Sequence, residues 1–142
     1  MGAQSTPVID IARKDFVSVD PKERVDFAER LFEIGKFRHL PVVEDGRLVG
    51  ILSTRDVMEA ALTKLLDFDP GHRKAFLHAI DVAEVMSREV TTVRPETPLS
   101  EAALRMVQEQ IGCLPVVDKG GHVLGLVTET DLLRAAYLGP RD

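Results

Sequence analysis

The chain is short of cysteine, of surplus positive charge and of long apolar runs, and each shortage excludes something. Cys113 is the only cysteine among 142 residues, so no intrachain disulfide can form and a reducing compartment is the expectation. Lysine and arginine number 18 against 23 aspartates and glutamates, a formal charge of −5. That balance argues against a nucleic-acid surface, because binding a phosphate backbone depends on concentrated Lys and Arg. No apolar stretch approaches the roughly 20 residues a membrane span requires. Met1-Gly2-Ala3-Gln4-Ser5-Thr6-Pro7 offers neither the basic start nor the apolar stretch of a signal peptide. The cytoplasm is therefore the expected location, with no membrane and no nucleic acid among the expected partners. The 44% hydrophobic and 29% charged content suits one compact domain or two half-domains sharing a core.

What is present is present twice. Residues 8–58 laid over 82–133 match Val19 with Val93, Pro21 with Pro95, Ala28 with Ala102, and Leu40-Pro41-Val42-Val43 with Leu114-Pro115-Val116-Val117 at one constant offset. One extra residue in the second hairpin then brings Gly50 to Gly125 and Asp56 to Asp131. A domain of roughly 50 residues buries too little apolar surface to be comfortable alone, so the copies are expected to form one pseudo-symmetric unit with function in the groove between them. The boundaries read as 8–66 for the first repeat, 67–80 for an inter-repeat segment with a short helix, and 81–138 for the second repeat.

Each copy reads β-α-β-β-α, an α+β pattern. Phe16-Val17-Ser18-Val19 and Val90-Thr91-Thr92-Val93 are short β-branched runs closed by a charged residue and proline, which predicts strands. The helices that follow are predicted to be capped by Asp20 and Thr97, with Pro21 and Pro98 at the first helical position. Val25, Ala28, Leu31, Phe32 and Gly35 in one, and Leu99, Ala102, Ala103, Met106, Val107 and Ile111 in the other, make core-facing stripes. Hairpins follow, turning through Asp45-Gly46 and Gly120-Gly121, with apolar strands that imply burial on both faces. Helices from about Thr54 to Leu66 and Glu129 to Tyr137 close the copies. A break at Asp67-Phe68-Asp69-Pro70-Gly71-His72 and a short helix over Arg73 to Ile80 lie between them.

The sharpest local signal is Gly50-Ile51-Leu52-Ser53-Thr54-Arg55-Asp56, echoed by Gly125-Leu126-Val127-Thr128-Glu129-Thr130-Asp131. Each sets a hydroxyl and a carboxylate three residues apart where a buried strand enters a helix. Unpaired N–H groups and a partial positive charge there suit a phosphate, and a fixed carboxylate suits paired sugar hydroxyls. The same spacing is also a capping box with Asp in the usual Glu position. For one copy taken alone the cap is the favoured reading, and the two remain open.

Two β-α-β-β-α copies, a Leu-Pro-Val-Val strand in each and a strand ending in Gly-x-x-Ser/Thr-x-x-Asp resemble the tandem cystathionine β-synthase (CBS) domain pair, or Bateman module, from about Val8 to Leu138. The resemblance implies a regulatory module whose copies pack sheet to sheet around two clefts for adenosine-containing ligands: AMP, ADP, ATP or S-adenosylmethionine. It implies that Asp56 and Asp131 grip ribose hydroxyls, with Ser53, Arg55, Thr128 and Thr130 near ribose or phosphate. The residues before each Leu-Pro strand would face phosphate and adenine: Arg38 and His39 in the first copy, Gly112 and Cys113 in the second. Ile11 and Ala12 in copy one, and Val85 and Met86 in copy two, would wall the adenine, although Met86 reads equally as core. Arg38, His39 and Arg55 can surround a phosphate, whereas Gly112, Cys113 and Glu129 cannot, so the first site is expected to be the stronger. Two departures from the family pattern are Ala12-Arg13, where the second copy has Met86-Ser87, and the length of the inter-repeat segment.

The rivals are weaker. His39, His72, His78 and His122 with Asp56 and Asp131 form no close-spaced metal motif. Cys113 before a buried strand reads as apolar filler more readily than as a nucleophile, and His72-Arg73-Lys74 reads as a solvated helix face more readily than as a phosphate clamp. No constellation for catalysis is assembled. The expectation is a stand-alone, non-enzymatic adenine-nucleotide sensor, homodimeric, needing no cofactor beyond its regulatory ligand, and signalling to an unidentified regulated protein. The alternative is a ligand-free dimerisation scaffold.

Overall fold

The computed structural model describes residues 5–64 and 69–138. The expected end of the second helix at Leu66 and the break at Asp67-Phe68 lie outside the described residues. Two compact units form, one from Val17–Val90 and the other from the residues up to Phe16 together with those from Thr91 onward. The first holds helix α1 (Val25–Gly35), strands β1 (His39–Glu44) and β2 (Arg47–Ser53), and helices α2 (Thr54–Lys64) and α3 (Pro70–Ala79). The second holds α4 (Leu99–Glu109), β3 (Cys113–Val117), β4 (Val123–Thr128) and α5 (Glu129–Tyr137). Each unit carries a two-stranded antiparallel sheet, β1 with β2 and β3 with β4.

The first strand predicted for each copy is reduced to a single parallel bridge, Val19 to Val42 and Val93 to Val116. Val19 donates to the Pro41 carbonyl at 3.1 Å and accepts from Val43 at 2.8 Å; Val93 donates to Pro115 at 3.0 Å and accepts from Val117 at 2.9 Å. The next rung forward would need an N–H from Pro21 or Pro95, and the next rung back one from Pro41 or Pro115. Proline has none, so the ladder is cut at both ends.

The helices that follow start later than predicted. Asp20 accepts the Lys22 N–H at 2.9 Å and Thr97 the Arg94 N–H at 3.0 Å, so both side chains close turns instead of capping. The first N–H of α1 goes to the Ile80 carbonyl and that of α4 to the Thr6 carbonyl. Those acceptors lie just ahead of the leading segments of the repeats, and these segments are exchanged. The 3₁₀ turn Val82–Glu84, which opens the second repeat, packs into the core of Val25, Ala28, Phe32, Leu40, Val42 and Leu52. The 3₁₀ turn Val8–Asp10, which opens the first, packs into that of Val93, Leu99, Ala102, Leu114, Val116 and Val127.

Past each 3₁₀ turn the segment crosses the hairpin. Arg13 exchanges backbone hydrogen bonds with Leu126, and Ser87 with Ile51. The crossing explains a glycine in each hairpin strand. A Cβ on Gly50 would lie 2.9 Å from the Ser87 carbonyl oxygen and 2.5 Å from the Met86 sulfur, and one on Gly125 would lie 3.0 Å from both the Ala12 Cβ and the Arg13 carbonyl oxygen. The hairpin turns differ: Asp45 and Gly46 both take positive φ, whereas the longer turn uses Gly121 alone.

Candidate functional site

In the unit of Val17–Val90, β2 runs without a break into α2, and the junction is locked by its own side chains. The Ser53 hydroxyl accepts the Asp56 N–H at 3.1 Å, and Asp56 Oδ2 accepts the Ser53 N–H at 2.8 Å. This is a reciprocal capping box. Among the described residues no hydrogen bond or ion pair engages Asp56 Oδ1. His39 stands opposite Ser53 across the β1–β2 ladder, and the Arg38 carbonyl accepts the Thr54 N–H at 3.0 Å. The hairpin therefore brings Arg38, His39, Ser53, Arg55 and Asp56 to one end of one sheet. Arg38 and Arg55 are exposed, and His39 and Asp56 half-buried. A half-solvated carboxylate beside two arginines at a helix start can hold a polar, anionic ligand.

The β4–α5 junction repeats the backbone plan with a different outcome. Asp131 Oδ2 accepts the Thr128 N–H at 2.9 Å and the Thr128 hydroxyl at 3.0 Å, while the Asp131 N–H reaches that hydroxyl at 3.3 Å. Its other oxygen takes Arg13 Nε at 3.2 Å. Asp131 is 2% exposed. Cys113 stands opposite Thr128, and the Gly112 carbonyl accepts the Glu129 N–H at 3.2 Å. Thr130 is exposed. Burial, and then the Asp131 charge, push the Cys113 thiol up to about 12, so it stays protonated at neutral pH and is a poor nucleophile.

The apolar residues expected to wall adenine lie in the exchanged segments. Ile11 and Ala12 pack in the unit of Asp131, and Val85 and Met86 in the unit of Asp56. The assignment by copy is therefore reversed, because Gly125 and Gly50 leave room for the opposite repeat's leader. Met86 is 8% exposed and part of the core. In His72-Arg73-Lys74, Arg73 is held by Glu29 of α1 through two hydrogen bonds, of 3.1 and 2.6 Å, and that carboxylate raises its pKa. Arg73 thus ties α3 to α1. The residue that sequence reasoning undervalued is Arg13: the repeat register, which sets it against Ser87, was the available signal.

Among the described residues no three potential ligands gather as a metal site, and no helix is long and apolar enough to cross a membrane.

Comparison with known proteins bears on these junctions. The family model for the CBS domain matches residues 8–63 and 82–138. Protein MJ1225 of Methanocaldococcus jannaschii is 35% identical over 135 residues, covering 88% of this chain and 45% of that protein. Its crystal structure superposes with a TM-score of 0.81 at 31% identity, over 94% of this chain and 48% of that one. The chain thus spans about half the length of that relative. The CBS domain pair of protein MJ0100, in complex with 5′-methylthioadenosine and S-adenosyl-L-methionine, gives a TM-score of 0.75 at 28% identity, over 91% of this chain and 94% of that one. CBSX2 in complex with AMP gives 0.79 at 28% identity, over 95% and 99%. With two repeats of helix, hairpin and helix, each matched by the family model, this chain belongs to the CBS domain family as a tandem CBS domain pair.

Proposed function

We propose that the chain is a non-catalytic regulatory module that binds an adenosine-containing ligand and reports its presence to a partner protein. The observation that carries this reading is the β2–α2 junction, where a carboxylate with one oxygen unengaged among the described residues stands beside two exposed arginines. In this reading Asp56 accepts from the ribose hydroxyls, Arg38, His39 and Arg55 hold phosphate, and Val85 lines the adenine. The adenosyl ligands of MJ0100 and CBSX2 support the choice of ligand class. Ligand can shift the module between arrangements only to the extent that it binds one of them better.

A second copy of the chain belongs to the same reading, because Phe27 and Ile34 on α1 and Leu104 and Val107 on α4 leave apolar surface exposed in both units. The ligand-free scaffold remains the rival.

A thermal-shift panel of AMP, ADP, ATP, S-adenosylmethionine, NAD and divalent cations separates the two. Ligand at about 100 times its Kd stabilises the native state by about 2.7 kcal/mol, so a selective adenosyl ligand raises Tm visibly. A shift with AMP, ATP or S-adenosylmethionine is the expected result. A shift with metal alone, or none with any compound at millimolar concentration, contradicts the sensor.

A further inference from the structure

Arg13 and Ser87 occupy equivalent places. Each follows a 3₁₀ turn at the head of its repeat, and each exchanges two backbone hydrogen bonds with the hairpin strand that leads to an aspartate-bearing helix start. From this place Arg13 sends its side chain to the aspartate, with Nε 3.2 Å from Asp131 Oδ1. Ser87 carries a side chain too short to do the same toward Asp56. The consequence is visible in the carboxylates. Asp131 is buried and receives donors on both oxygens, Thr128 on one and Arg13 on the other. Asp56 receives one donor from Ser53, and its other oxygen is unengaged among the described residues.

Ribose hydroxyls arriving at Asp131 would have to displace a guanidinium. They would replace a hydrogen bond between two charged groups with ones in which only the carboxylate is charged, and leave Arg13 to find another partner. At Asp56 Oδ1 no donor from the described residues need be displaced. We infer that Arg13 is a specificity-determining residue that closes the Asp131 junction to adenosyl ligands, so that the chain carries one working site, at Asp56. This inference rests on the functional reading above and adds to it which junction works and why.

Titration calorimetry with AMP and, separately, with S-adenosylmethionine tests the inference on the full chain and on two reciprocal variants, Arg13→Ser and Ser87→Arg. The full chain is expected to show a single class of binding, abolished by Asp56→Ala. Arg13→Ser should double the stoichiometry, the added event disappearing when Asp131→Ala is combined with it. Ser87→Arg, at an exposed position, should weaken binding by about tenfold or more, a loss of about 1.4 kcal/mol or more, by laying a guanidinium against Asp56. Because Ser87→Arg leaves Arg13 and Asp131 intact, it keeps the inference testable if Arg13→Ser does not fold. Unchanged stoichiometry in a folded Arg13→Ser, undiminished binding in Ser87→Arg, or binding that survives Asp56→Ala each overturns the inference while leaving an adenosyl sensor in place. No binding by the full chain or either variant overturns the functional reading, and the inference with it.

Discussion

At the end of β2 and at the end of β4 the same backbone makes the same turn, yet the carboxylates differ. Asp56 is half-buried, holds one N–H and has Arg38 and Arg55 nearby in the fold. Asp131 is buried, holds the Thr128 N–H and hydroxyl, and is paired with Arg13. The shared part is the capping box, which each helix needs for its orphan N–H groups. The difference lies in what surrounds it: exposed cations and an oxygen unengaged among the described residues in one unit, a satisfied ion pair in the other. A motif repeated in sequence can thus be structure in one copy and, in the reading offered above, a binding site in the other.

The contrast makes the two aspartates unequal in stability. Asp56→Ala removes a capping box, worth about 1 kcal/mol. Asp131→Ala removes a capping box and the Arg13 pair together, and because the Arg13 side chain is 48% exposed the pair is only partly desolvated. A loss of about 2–3 kcal/mol in urea unfolding is expected for Asp131→Ala. Equal losses would mean that Arg13 contributes nothing and would erase the contrast.

The hairpin turns sharpen the comparison at a smaller scale. Asp118 sits in the longer turn and accepts N–H groups from Gly120 and His122, both at 2.9 Å. The His122 backbone hydrogen bond, more than the His122 ring and Gly120, holds its carboxyl below its ordinary value of 3.8. A carboxyl depressed on folding gives stability that is complete above its unfolded value and is lost as pH falls through the folded one. Asp118→Asn should therefore flatten the fall in Tm below about pH 4 slightly. A steeper fall in Asp118→Asn would contradict the assignment.

Local chemistry made much of the fold legible. The hairpins, the Asp45-Gly46 turn and the Ser53-x-x-Asp56 and Thr128-x-x-Asp131 spacings are set by neighbours in sequence and stand where the residues predict; of the helix stripes, Gly35 and Val107 are exposed instead of core. The first strands were over-read because β-branched propensity at Phe16–Val19 and Val90–Val93 is overruled by prolines on both sides of the pairing. The expected caps at Asp20 and Thr97 do not form because those oxygens close turns on the Lys22 and Arg94 N–H groups. The exchange of leading segments, and with it the Arg13–Asp131 pair across 118 residues, has no local signature; the only trace of the pair was Arg13 standing where the other repeat has Ser87.

The most direct measurement is the affinity for AMP of the unaltered chain, of Asp56→Ala and of Asp131→Ala, all checked for folding and measured under one set of conditions. The account predicts that AMP binds, that Asp56→Ala abolishes the binding, and that Asp131→Ala leaves it nearly unchanged. Equal loss in both variants, or loss in Asp131→Ala alone, would contradict it.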